Sequence, residues 1–166
     1  MSKRINHLYS PNLISICVDH REDGDFGGEV WDFYHEEPHS FDRAVELVMY
    51  VDGFMDEINF PQSANRPRTF RKTGTVQRAR RKSFHKDKIR TMDNLEEKQG
   101  NLGTFIVQVK YRQNSTWQGQ VVWAEEDKKV YFRSALELLR LIDDATAGKA
   151  APEKNSGWED IEEDRT

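Results

Sequence analysis

The chain has 166 residues, of which 36% are hydrophobic and 33% are charged, and its formal net charge at pH 7 is -4. This composition allows one compact domain with a modest core, and a mean hydropathy of -0.86 predicts that some segments do not fold. No apolar run reaches the roughly 18 residues of a membrane span and no signal peptide is evident, so we expect a cytoplasmic protein without membrane contact.

The first predicted unit, residues 1–60, contains two strands and a helix. Ile14, Ile16 and Val18 show the period-2 spacing of a strand with one buried face. The turn-forming residues 22–25 follow, which predicts a hairpin to a second strand. A helix comes next, because apolar residues recur at three and four positions: Ala44, Leu47, Val48, Val51, Met55 and Ile58.

Residues 61–103 are predicted to form a basic, mostly flexible connector. Positions 61–90 hold eleven lysines or arginines and one acidic residue, a net charge of +10. Arginine can donate two parallel hydrogen bonds to a phosphate, and aromatic rings can stack on unpaired bases. The residues predicted to bind nucleic acid are Arg66, Arg68, Phe70, Arg71, Lys72, Arg78, Arg80, Arg81, Lys82 and Phe84. The alternative is a solvated linker that its charge keeps extended, or that pairs with an acidic tail.

The second predicted unit, residues 104–147, repeats the pattern of the first. Aligned without a gap at an offset of 91 positions, the two units share nine identities, which we interpret as an internal duplication. The first-unit residues are Val18, Arg21, Gly28, Val30, Phe41, Ala44, Glu46, Leu47 and Asp52. Gly28 and its equivalent Gly119 fall inside the second strands, where we expect close approach of the helix.

These patterns predict an α+β fold. Two ββα repeats form a four-stranded antiparallel sheet with two helices on one face, in one compact domain. The remaining residues, 148–166, form an acidic tail that is expected to be disordered.

The hairpin loop of the second unit carries several polar groups beside a tryptophan. Residues that could contact a polar ligand or a base are Arg112, Gln113, Asn114, Trp117 and Gln118. The loop is also explained as a plain hairpin connection. Arg21 and Arg112 occupy matched positions, which favours a structural role such as capping helix ends or pairing with Glu46 and Glu137.

The sheet face away from the helices is predicted to be apolar. Strand alternation places on it Cys17, Trp31, Phe33, Ile106, Gln108 and Val122. Contiguous apolar surface generally marks an interface, so Trp31, Phe33, Ile106 and Val122 are predicted to bind a protein partner or a second copy of the chain. The alternative is that the connector or the termini cover this face.

No cofactor, metal site or catalytic residue is predicted. His20, His35 and His39 fit no compact ligand spacing, and the only cysteine, Cys17, is expected to be a buried thiol. The sequence contains no glycine-rich phosphate loop, nucleophile elbow or H-E-x-x-H motif. We therefore expect a protein that is not an enzyme.

The run RQNSTWQG, followed by VVW and FRSALELLRLIDDA, resembles a family of small uncharacterised bacterial proteins with a duplicated strand-strand-helix unit. The segments EEPHSF and INFPQ of the first unit add to the resemblance. It implies this domain layout and a bacterial origin, and it carries no known activity. The sequence thus predicts a binding protein for nucleic acid; the alternative is a protein-interaction module or homodimeric adaptor that uses the apolar sheet face.

Overall fold

The structure, a computed structural model, describes residues 10–71, 95 and 97–148. The strands are β1 (Ile14–Glu22), β2 (Asp25–Trp31), β3 (His39–Phe41), β4 (Gly103–Tyr111), β5 (Gln118–Trp123) and β6 (Lys128–Phe132), and the described helices are α1 (Ala44–Ile58) and α2 (Ala135–Ala147). The strands form one antiparallel sheet in the order β3-β2-β1-β4-β5-β6. The predicted α+β class is confirmed. Neither described helix is long and apolar enough to cross a membrane.

Each half contains a third strand that the sequence analysis does not predict. β3 pairs with β2, with Phe41 opposite Gly28, and β6 pairs with β5, with Phe132 opposite Gly119. In each of these outer strands the last residue alone is buried, so no alternation of apolar and polar residues reveals it. The predicted four-stranded sheet and ββα repeats are therefore wrong: the sheet has six strands and each half is βββα.

The two halves meet where β1 pairs with β4. Ser15 lies opposite Ile106, and these two residues are themselves 91 positions apart. The flanking pairs are Ile14–Val107 and Ile16–Phe105. The offset of 91 relates Ile14 to Phe105 and Ile16 to Val107, so it converts one pair into the other. The register therefore reads the same from either half, which defines a pseudo-twofold axis through the Ser15–Ile106 pair.

The main core lies between both helices and one face of the sheet. Strand residues that belong to it include Ile14, Val18, Val30, Phe105, Val109 and Val121. The helices contribute Leu47, Val51, Phe54, Met55, Ile58, Leu138 and Ile142. Each such side chain stabilises the fold by about 1.5–3 kcal/mol when it leaves water, so this shared layer holds the two halves together.

A β-bulge interrupts the same position in each half. The register of β1 with β2 shifts between Val18 and His20, and that of β4 with β5 shifts between Val109 and Tyr111. Each bulge lies near the hairpin end of its strand. Since a bulge increases the local twist, it turns the hairpin end away from the plane of the sheet.

Gly28 and Gly119 lie opposite these bulges. A Cβ atom added at Gly28 would overlap the backbone oxygen of Cys17, and one added at Gly119 would overlap that of Gln108. The predicted close approach of the helix is therefore wrong, because the backbone that approaches belongs to the paired strand. The glycines leave room for the bulges, and the bulges set the direction in which the hairpins leave the sheet.

The hairpins also fix where the helices begin. Asp25 Oδ1 accepts a hydrogen bond of 3.0 Å from the backbone N–H of Ala44, and Thr116 Oγ1 accepts one of 3.0 Å from that of Ala135. Asp25 and Thr116 are equivalent at the offset of 91. Each contact satisfies a backbone donor that the first helical turn leaves unpaired, so each hairpin is tied to the helix of its own half.

Alanine at either strand glycine should destabilise the fold. Gly28→Ala and Gly119→Ala are each expected to lower the free energy of unfolding by about 2 kcal/mol or more, because the new methyl group pushes paired backbones apart. Gly53→Ala in α1 is the matched control, since open space surrounds that position, and it should raise stability by up to about 1 kcal/mol. Urea denaturation measures all three. Strand variants as stable as the native protein would contradict the backbone contact.

Cys17 should be unreactive in the folded protein. The prediction of a buried thiol is confirmed, and burial raises the pKa of Cys17 to about 11. At pH 8 only about one thiol in a thousand would then be the reactive thiolate, even if a reagent reached it. We expect negligible labelling by a disulfide reagent at pH 8 and full labelling in denaturing urea. Equal rates in the two states would show that the thiol is accessible.

Candidate functional site

A cleft of about 480 Å³ opens between the second half of α1, the segment that follows it and the β4–β5 hairpin. Asp52 and Asp56 come from the helix, Arg66 and Arg68 from the start of the connector, and Arg112 from the hairpin. We call this the arginine cleft. It brings together two groups predicted separately: the basic connector and the polar hairpin loop.

The connector begins beside the hairpin because backbone and side chain both hold it there. The backbone N–H of Ala64 donates to the carbonyl oxygen of Arg112 over 3.0 Å, and Arg112 Nε donates to the carbonyl oxygen of Pro61 over 2.8 Å. Ser63 forms an isolated parallel bridge with Arg112. The first basic residues of the connector consequently emerge at the mouth of the cleft.

Arg112 and Trp117 form the floor of the cleft. Both residues are 5% exposed. Arg112 Nη1 lies 2.6 Å from Asp56 Oδ1 and 3.5 Å from Asp52 Oδ1, and Trp117 Nε1 donates to Asp52 Oδ1 over 3.1 Å. The charge of Arg112 is thus neutralised within the protein, and the indole ring is not accessible for stacking.

Arg21 makes the equivalent contact in the other half. Its Nη2 lies 2.6 Å from Oδ1 of Asp143, the residue equivalent to Asp52. Each arginine therefore crosses to the helix of the opposite half: Arg21 reaches α2 and Arg112 reaches α1. We call Arg21 and Arg112 the crossed arginines, and their role in the described structure is to hold the halves together.

The predicted partners of the crossed arginines are wrong. Glu46 pairs instead with Arg43, and Glu137 pairs with Arg133, both on the exposed first turns of the helices. The pKa of Glu46 is lowered, first by the backbone N–H of Asp42 and then by Arg43. These glutamates are too near the helix starts, whereas the arginines reach the later turns.

The rim of the cleft is positively charged. Arg66 and Arg68 are exposed, and within the described residues neither forms an ion pair. Phe70 and Arg71 follow, and both are exposed as well. The remaining residues predicted to bind nucleic acid lie outside the described residues: they are Lys72, Arg78, Arg80, Arg81, Lys82 and Phe84.

The hairpin tip faces the same rim. Gln118 closes the loop, because its Oε1 accepts from the backbone N–H of Gln113 and its Nε2 donates to the Gln113 carbonyl, both over 3.0 Å. Asn114 and Ser115 have positive φ angles of 54° and 57° and form the exposed turn. Of the residues predicted to contact a ligand, Gln113 and Asn114 therefore face solvent.

The sheet face opposite the helices is partly covered by the chain itself. Leu95, which belongs to the connector, packs in a second cluster with the buried residues Phe33 and Ile106. Trp31 and Val122 lie at its margin and stay partly exposed. The alternative prediction was that the connector covers this face. Leu95 of the connector does cover the part that contains Phe33 and Ile106. An interface with a partner or a second copy stays a prediction for the part that is accessible.

A polar cluster at the end of β2 contains two of the histidines considered above, His35 and His39. The Asp32 carboxylate accepts hydrogen bonds from the backbone of Tyr34 and from Tyr50 Oη, and it lies 2.9 Å from Nδ1 of His35. Burial, and secondarily Asp32, raise the pKa of Tyr50 above its ordinary value, and its ring stacks on His39 at 3.8 Å. Within residues 10–71, 95 and 97–148, no group of three histidine, cysteine or acidic side chains could hold a metal ion.

No protein-family model, curated protein or solved structure matches the chain at a significant level. The bacterial family that the sequence resembles therefore stays a prediction.

Removing a crossed arginine should destabilise the protein far more than removing an exposed one. We expect Arg112→Gln to lower the free energy of unfolding by about 2 kcal/mol and Arg21→Gln by about 1–2 kcal/mol, because their carboxylate partners are half-exposed and recover some hydration. Arg43→Gln, which removes an exposed ion pair, should change it by less than about 0.5 kcal/mol. Urea denaturation separates these outcomes. Equal effects at all three positions would contradict the assigned structural role.

Proposed function

We propose that the protein binds nucleic acid through the arginine cleft and the basic connector that begins there. The observation that carries this proposal is the difference between the arginines of the cleft. Arg112 is buried and neutralised by two carboxylates, whereas Arg66 and Arg68 are exposed at the rim without an ion pair among the described residues. Such guanidinium groups can donate paired hydrogen bonds to phosphate.

The charge distribution along the chain supports the same ligand. Positions 61–90 carry a net charge of +10 although the whole chain carries -4, so the positive charge is concentrated in the segment that begins at the cleft. A local field of this sign attracts polyanions and speeds their association. Phosphate contacts of this kind supply affinity and position without reading the base sequence.

The hairpin tip supplies further groups for a phosphodiester backbone. Asn114 and Ser115 are exposed on the turn, and Ser115 lines the cleft together with Arg66 and Arg68. Amides and hydroxyls commonly bond phosphate and sugar oxygens beside the basic residues. The proposal is one of binding and includes no reaction.

The salt dependence of binding tests this proposal. Labelled random-sequence oligonucleotides, single-stranded and duplex, are titrated by fluorescence anisotropy across a salt series. Each phosphate contact contributes about one unit to the slope of log affinity against log salt, so Arg66→Gln with Arg68→Gln should reduce the slope by about two.

The matched control combines Lys128→Gln with Arg140→Gln. It removes the same charge from exposed positions outside the cleft and should leave the slope unchanged. Absence of binding by the native protein at low salt would overturn the proposal. An equal loss of slope in both double variants would show that net charge, and not the cleft, attracts the ligand.

A further inference from the structure

The strands of the two halves differ sharply in charge. β4, β5 and β6 contain three lysines and no acidic residue. β1, β2 and β3 contain four acidic residues and one arginine. The strand positions of the second half therefore suit a polyanion better than those of the first.

Two of the three lysines lie beside an exposed tyrosine on the face away from the helices. Lys129 pairs with Val122, which packs in the cluster on that face, so alternation along β6 places Lys129 and Tyr131 on the same side. Tyr131 is 60% exposed. Lys129 Nζ lies 5.3 Å and Lys110 Nζ 5.4 Å from its ring centroid. We call these three residues the lysine-tyrosine face.

The fold does not require these side chains. At the offset of 91, the equivalents of Lys110, Lys129 and Tyr131 are Asp19, Pro38 and Ser40. The first half therefore forms its part of the sheet with no lysine or aromatic ring at these positions. By contrast, the crossed arginines and the bulge glycines hold the same residue in both halves. The lysine-tyrosine face is thus a feature added to the fold.

An exposed ring with two cations 5.3 and 5.4 Å from its centroid suits unpaired bases. Each base presents a flat face that stacks on an aromatic side chain, while lysines hold the neighbouring phosphates. A duplex hides those faces between its stacked base pairs, so this arrangement discriminates between single strands and duplexes. The surface of a sheet also allows a single strand to lie extended across it.

We propose that the lysine-tyrosine face binds single-stranded nucleic acid, with one base stacked on Tyr131 and phosphates held by Lys110 and Lys129. This inference rests on the proposed function and specifies single-stranded nucleic acid as the ligand class. The face adjoins the arginine cleft, because Lys110 precedes Arg112 by two residues, at most about 7 Å of chain. Tyr111 lies between them and is itself exposed. One strand could therefore contact the cleft and continue onto the sheet.

Substitution of the tyrosine tests the stacking directly. Tyr131→Ala should weaken binding of a single-stranded oligonucleotide by about tenfold and leave duplex affinity unchanged. Tyr131→Phe keeps the ring and should bind within about twofold of the native protein. Since Tyr131 is exposed, thermal unfolding of both variants should match that of the native protein, which excludes misfolding as the cause.

Two lysine variants test the charge arrangement. Lys129→Ala should weaken single-strand binding and reduce its salt slope by about one. Lys128→Ala is the matched control, because Lys128 is the preceding residue of β6 and pairs with Trp123 of the main core, on the helix side of the sheet. It should bind as the native protein does.

The outcomes separate this inference from the proposed function. If Tyr131→Ala binds single strands as well as the native protein while the Arg66/Arg68 variant is weakened, the face is not used and the cleft proposal stands. If Tyr131→Ala weakens single strands and duplexes equally, stacking on unpaired bases is overturned. If the native protein binds neither form, both proposals fail.

Discussion

The antiparallel pairing of β1 with β4 is the contact on which the rest of the structure depends. Because Ser15 lies opposite Ile106, the hairpin end of each half reaches the helix of the other. A shift of one residue would turn the apolar side chains of β4 to the wrong face. A shift of two would displace Arg21 and Arg112 from their carboxylates by about 7 Å. The ion pairs of the crossed arginines therefore form only in the register that the apolar pattern sets.

The two halves share a framework and differ in what they expose. The bulges, the hairpin-to-helix hydrogen bonds and the crossed arginines occur in both, and all of them serve the fold. The arginine cleft lies where the first helix, the connector and the second hairpin meet, and the lysine-tyrosine face lies on the second half. The chemistry proposed for binding is thus concentrated where the halves are least alike.

Local patterns in the sequence predicted the core strands and helices. The outer strands and the position of the connector depend on pairing between distant residues, which local patterns do not contain. The first two strands and the helix of each half follow from periods of two and of three to four residues. β3 and β6 were missed because Phe41 and Phe132 are their only buried residues, and with β6 unassigned no face could be given to Tyr131. Arg66 and Arg68 were predicted as ligand contacts. Their place beside Arg112 depends on backbone contacts that no local pattern encodes.

The paired strands β1 and β4 are far apart in the sequence, and this distance affects how connector length changes the stability and folding rate of the protein. The β1–β2 turn joins its strands through two residues, whereas Ser15 and Ile106 are brought together across the whole connector. The entropy lost on closing such a loop grows only with the logarithm of its length, so doubling it costs about 0.6 kcal/mol. Joining the halves is therefore expected to limit the folding rate. Lengthening the connector outside its contacts at residues 61–64 and Leu95 would barely alter stability. Basic residues can therefore be gained there while the fold persists.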